Sequence, residues 1–169
     1  DRLVEYARKY IGTPYRRGSK GPNRFDCSGF MQYIFNHFSY SLNASSASQY
    51  LQGISVKDEE ICRGDLVFFK GRNSRSNVGH VGLVTEVYPD GRFKFIHAST
   101  SQGIREDWNF SPYYAQRYVG ARRIYFVQID KRLILDAILE LEDIDDNTPF
   151  TETEKSITPQ EFSTFVRAE

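Results

Sequence analysis

The sequence predicts an α+β domain, and three observations carry that prediction. Apolar residues recur at helical spacing in the first fifty positions, and valine, leucine and aromatic residues cluster in short runs from position 62 onward. Pro89-Asp90-Gly91 is a turn signal between two of those runs, which marks an antiparallel hairpin. Aromatic residues make up 15% of the 169 positions, a proportion that favours a sheet-containing globule over a loose polar chain.

The elements follow in order. Leu3, Val4, Ala7, Tyr10 and Ile11 share one helical face, so a helix is expected over residues 1–11. Gly12 stops it and Pro14 blocks its resumption. Residues 16–24 hold glycine, proline and basic residues but nothing apolar, and read as a loop. Phe30, Ile34, Phe35 and Phe38 predict a buried helix over residues 25–38, with Asp26 or Ser28 as its cap and Cys27 at its N-terminal end. A short helix over residues 45–51 precedes Gly53. Strands are expected at residues 65–69, 79–88, 92–97 and 118–129. Residues 131–141 fit an amphipathic helix, residues 143–147 an acidic linker, and Thr158-Pro159-Gln160-Glu161 the capped start of a final helix.

Charge divides the chain in the same place. Residues 1–129 carry 18 Lys+Arg against 11 Asp+Glu, a net +7, and residues 130–169 carry 4 against 11, a net −7. An acidic tail that balances the field of a basic body is the plain reading; a basic body facing an anionic polymer is the sharper one. The whole chain is neutral, which argues against nucleic acid as a partner, and the basic positions Arg16, Arg17, Lys20 and Arg24 are a generic feature. The apolar runs are too short to span a bilayer. Two cysteines cannot make a disulfide scaffold or a four-cysteine zinc site, and no Cys/His pair has zinc-ligand spacing, so no metal is expected. The chain starts at Asp1 without methionine or leader and reads as a mature or trimmed piece.

Three residues can carry chemistry. Cys27 sits where a helix N-terminus favours a thiolate, although an inert buried thiol is the commoner fate of cysteine. His80 opens one strand of the predicted hairpin and His97 closes the other. Counting outward from the turn sets His97 opposite positions 82–83, close to His80. A cysteine, a histidine base and a second group that orients the base form a nucleophilic constellation; two satisfied core histidines are the alternative. His37 lies ten residues beyond Cys27 on the same helix, about 15 Å away along the axis, and reads as packing or surface. Cys62, before a strand and away from any helix start, reads as structural.

Five segments in order resemble the NlpC/P60 cysteine peptidases: Gly12-Thr13-Pro14-Tyr15, Phe25-Asp26-Cys27-Ser28-Gly29-Phe30, Arg63-Gly64-Asp65-Leu66-Val67-Phe68-Phe69, Gly79-His80-Val81-Gly82 and Ile96-His97-Ala98-Ser99. The resemblance implies a papain-like fold in which the nucleophile helix packs on an antiparallel sheet. It implies a catalytic domain over residues 1–128, with residues 129–169 as an acidic extension outside the likeness. It also implies hydrolysis of peptidoglycan stem peptides outside the cytoplasm, at the bond between D-glutamate and a diamino acid, without metal or organic cofactor. Cys27 would be the nucleophile, His80 the base and His97 the orienting residue, with Tyr15, Asp26 and Ser28 lining the substrate site. Two departures stand out: Arg24 where relatives often carry glycine, and Asn43-Ala44-Ser45-Ser46 where many read Pro-Arg-Thr-Ser. A catalytically silent module that binds wall peptides or a partner, and a Cys-His amidase or acyltransferase on another acyl substrate, are the rival readings.

Overall fold

In the computed structural model, residues 2–71 and 78–125 are described. The expectations for the acidic tail lie outside them.

The first helix, α1 (Arg2–Arg8), buries Leu3, Val4 and Ala7. It ends three residues short of the expected boundary. Gly12 takes φ +91°, which only glycine adopts freely, and its N–H donates to the Ile104 carbonyl at 2.8 Å rather than back into the helix. The second helix, α2 (Cys27–His37), buries Phe30, Met31, Ile34 and Phe35 on one face. Asp26 caps it: the Gly29 N–H donates to Asp26 Oδ1 at 2.6 Å. A Cβ on Gly29 would collide with the Ser19 carbonyl, so the loop before α2 packs directly on its first turn. The short helix α3 (Ser46–Gln49) is closed by a reciprocal Ser45–Ser48 capping box.

Six strands form one antiparallel sheet: β1 (Ile54–Val56), β2 (Leu66–Lys70), β3 (Val78–Val87), β4 (Phe93–Ser99), β5 (Gly103–Trp108) and β6 (Tyr118–Arg123), in the order β1-β6-β2-β3-β4-β5. Leu83 stands opposite Ile96, which is the hairpin register that counting from the turn gives. Gly82 lets the two strands meet, because a Cβ there would lie 2.6 Å from Phe95 Cδ2. β2 is buried on both faces: Leu66 and Phe68 join the core that holds α1 and α2, while Val67 and Phe69 join a second cluster with Val84, Phe93 and Phe95 on the other side. An uninterrupted apolar run is what a strand in that position needs.

Four elements have no counterpart in the sequence reading, one of them the single 3₁₀ turn Asp58–Glu60. β1 is three residues long. β5 holds Ile104 and Trp108 among polar and charged residues, as an edge strand can. The helix α4 (Pro112–Ala115) is a single turn. β6 ends at Arg123, ahead of Ile124 and Tyr125, shorter than the strand expected over residues 118–129. Cys62, read as structural, has an exposed side chain; its backbone N–H donates to Asp65 Oδ2 at 2.8 Å.

Candidate active site

The capped start of α2 brings Cys27 to a cavity of about 490 Å³, into which His80 of β3 and Tyr15 of the preceding loop also project. The Cys27 thiol donates to the carbonyl of Gly79, the neighbour of His80, at 3.9 Å. His97 is fully buried on β4 behind His80. The Nε2 of His80 and the Nδ1 of His97 are 2.9 Å apart, with the two rings edge to face. That contact engages Nε2 of His80, and among the described residues Nδ1 is its ring nitrogen with no hydrogen bond.

Electrostatics set the resting state. Burial raises the Cys27 thiol to about 11, and the Asp26 carboxylate pushes the same way. The backbone N–H groups of Ser28, Val81 and Cys27 oppose the rise without reversing it. Desolvation thus outweighs the donors of the helix start, which by themselves favour the thiolate. Burial also lowers His80 well below the ordinary imidazole value, and His97 adds to that fall. Both shifts favour the neutral form, a thiol at Cys27 and an uncharged imidazole at His80.

The remaining expected residues divide. Tyr15 lines the cavity, and its hydroxyl pKa is raised by burial, then by Cys27 and Asp26. Asp26 and Ser28 stand at the helix start but not among the cavity-lining residues. Both Asp26 oxygens accept backbone N–H groups, Oδ1 from Gly29 and Oδ2 from Gly18 at 2.8 Å. Ser28 is buried, and its carbonyl accepts from Gln49 at 3.1 Å. His37 stacks on Tyr6 with ring centroids 3.8 Å apart, away from the cavity.

The site holds more than the sequence reading named. Asp107 Oδ2 lies 2.8 Å from His97 Nε2, and Arg105 Nη2 donates to Asp107 Oδ1 at 2.6 Å. The Tyr114 hydroxyl lies 3.3 Å from the same His97 nitrogen. Arg105, Asp107 and Tyr114 all line the cavity. Arg105 stands opposite His97 in the β4–β5 register, and Asp107, two residues on, shares its strand face. That spacing was the available signal, hidden because β5 lacks an apolar alternation. Among the described residues, no group of three or more His, Cys, Asp or Glu could hold a metal ion.

Comparison with known proteins finds relatives of this chain. The sequence profile of the NlpC/P60 family matches residues 12–123. A "Probable endopeptidase NlpC homolog" of Haemophilus influenzae is 36% identical over 123 residues, covering 72% of this chain and 61% of that protein. A "Gamma-DL-glutamyl hydrolase" of Bacillus subtilis is 32% identical over 131 residues, covering 76% of this chain and 30% of that protein. The chain thus spans less than two thirds of either relative's length. An NlpC/P60 protein of Bacillus cereus superposes with a TM-score of 0.64 at 29% identity, covering 72% of this chain and 38% of that one.

Proposed function

From a chain that belongs to the NlpC/P60 family, with a Cys27 thiol and a paired His80–His97 at one cavity, we propose a cysteine endopeptidase that hydrolyses peptidoglycan stem peptides outside the cytoplasm. The 2.9 Å contact between His80 Nε2 and His97 Nδ1 carries this reading, since it turns the remaining His80 nitrogen into the candidate base. The D-glutamyl bond to a diamino acid is the proposed target; the Bacillus subtilis relative is named a gamma-DL-glutamyl hydrolase, which supports glutamyl-bond hydrolysis. The catalytic domain is taken as residues 1–128, which contains the profile match.

Cys27 Sγ attacks the amide carbonyl as His80 Nδ1 takes the thiol proton. The backbone N–H of Cys27, at the helix start, stabilises the oxyanion. Collapse breaks the C–N bond, and the proton on His80 leaves with the amine. Water then attacks the thioester, His80 takes its proton, and breaking the C–S bond returns that proton to sulfur. Tyr15 bounds the substrate from the loop side. The two backbone donors on Asp26, and the Ser28 hydroxyl that donates to Oδ1 at 3.5 Å, leave lone pairs for a free α-amine of a trimmed stem peptide.

The test is mass spectrometry of purified peptidoglycan digested with the wild type and with Cys27→Ala. New peptides cut after D-glutamate, in the wild type alone, are expected; equal cleavage by the variant would remove Cys27 from the chemistry. The raised thiol favours one second reading, a silent module that binds wall peptides through this cavity. An uncut digest in which both proteins still bind peptidoglycan would select it.

A further inference from the structure

We propose that Asp107, held by Arg105, is a positioning residue that sets the tautomers of His97 and His80 in series and thereby leaves a lone pair on His80 Nδ1 for Cys27. An aspartate carboxylate in an ion pair with Arg105 only accepts hydrogen bonds. His97 Nε2, 2.8 Å from Oδ2, must therefore carry its proton. A neutral imidazole has one N–H, so His97 Nδ1 is then an acceptor. The His80 Nε2 facing it at 2.9 Å must in turn be the donor. His80 Nδ1 is left without a proton, the form a general base needs.

Three further observations support this order. Burial lowers His97 despite the pull of Asp107, so its ring rests neutral and has a tautomer to choose. Arg105 engages Oδ1 while His97 faces Oδ2, so these two partners do not share an atom, and the Tyr114 hydroxyl is a third hydrogen-bond partner of the carboxylate. The Tyr114 hydroxyl can donate or accept, so it does not impose a tautomer by itself. Among the described residues, the charged and titratable groups around the His97 ring are His80 from β3, Asp107 and Arg105 from β5, and Tyr114 from α4.

Asp107→Asn tests the relay because Arg105 can only donate. It would hold the amide oxygen and turn the NH₂ toward His97 Nε2. Both rings would then flip, and His80 Nδ1 would carry a proton toward the thiol. This role rests on Cys27 and His80 acting as nucleophile and base, yet ring tautomers are read in the free protein, where turnover plays no part.

The experiment is ¹⁵N NMR of the histidine rings in the wild type, Asp107→Asn and the double variant Arg105→Ala/Asp107→Asn, with cleavage assayed alongside and folding checked by circular dichroism. The wild type should show Nε2–H on both His80 and His97. Asp107→Asn should show Nδ1–H on both and lose at least about 100-fold in kcat, the direction seen when a triad carboxylate is made an amide. The double variant frees the asparagine to turn its oxygen to His97, and should regain the wild-type tautomers and part of the activity. A wild-type His80 already protonated on Nδ1, or a folded Asp107→Asn with unchanged tautomers, would overturn the relay. Expected tautomers in a protein that cleaves nothing would uphold the relay and refute the peptidase reading.

Discussion

At Cys27 the competition between desolvation and hydrogen bonding decides the chemistry. Three backbone donors reach the sulfur and still leave the thiol raised to about 11. Alkylation of Cys27 by iodoacetamide should therefore rise with pH to a midpoint well above the ordinary thiol value of about 8.5. A midpoint at or below that value would show that the donors win. His80 moves the other way: its pKa is lowered, so protonation, which would remove the proposed base, sets in only as pH falls past that depressed value. The acid limb of kcat/KM should thus lie below the ordinary imidazole value of about 6.5, and activity should persist in mildly acidic buffer. A pH–rate profile of the wild type checks this, and an inflection at or above that value would contradict it.

At the scale of the element, one side chain holds the start of α2, and the same side chain is the proposed contact for a substrate amine. Asp26 closes the helix through Gly29 and ties down the preceding loop through Gly18. Replacing it with alanine removes both acceptors and should lower stability by about 2 kcal/mol, the upper end for a lost cap. Asparagine keeps an oxygen for the cap but not for the Gly18 N–H, so Asp26→Asn should cost about 1 kcal/mol. The two variants separate the cap from the proposed contact with a substrate amine. Urea denaturation gives the first, and a KM that rises in Asp26→Asn with little change in kcat gives the second.

For the whole molecule, the sheet is tied by a polar link as well as by its apolar faces. Arg123 of β6 donates to Asp65 through Nε at 2.7 Å and Nη2 at 2.9 Å, and Asp65 is almost fully buried just before β2. The same guanidinium reaches the Glu60 carbonyl at 2.8 Å. Asp65→Ala would strand a partly buried cation and the Cys62 N–H together, and should destabilise the protein by about 3 kcal/mol. Thermal unfolding should fall by about 10 °C, with cleavage at low temperature retained because no cavity-lining residue is touched. A Tm within a degree or two of the wild type would show that the link contributes little.

Much of the site was legible before any coordinates. Helical spacing around Phe30 and Ile34 announced α2 with Cys27 at its start, and the Pro89-Asp90-Gly91 turn set the register that brings His97 to His80. Local periodicity and turn chemistry act over a few residues, so the chain itself determines them. β5 and α4 were not legible, because an edge strand of charged residues and a one-turn helix leave no periodic trace. With them went Asp107, Arg105 and Tyr114, the partners that meet His97 only after the sheet has formed. The raised thiol belongs to the same class. Sequence supplies the cysteine and its helix, but its protonation depends on how much water is excluded by residues far along the chain, and tertiary packing alone decides that.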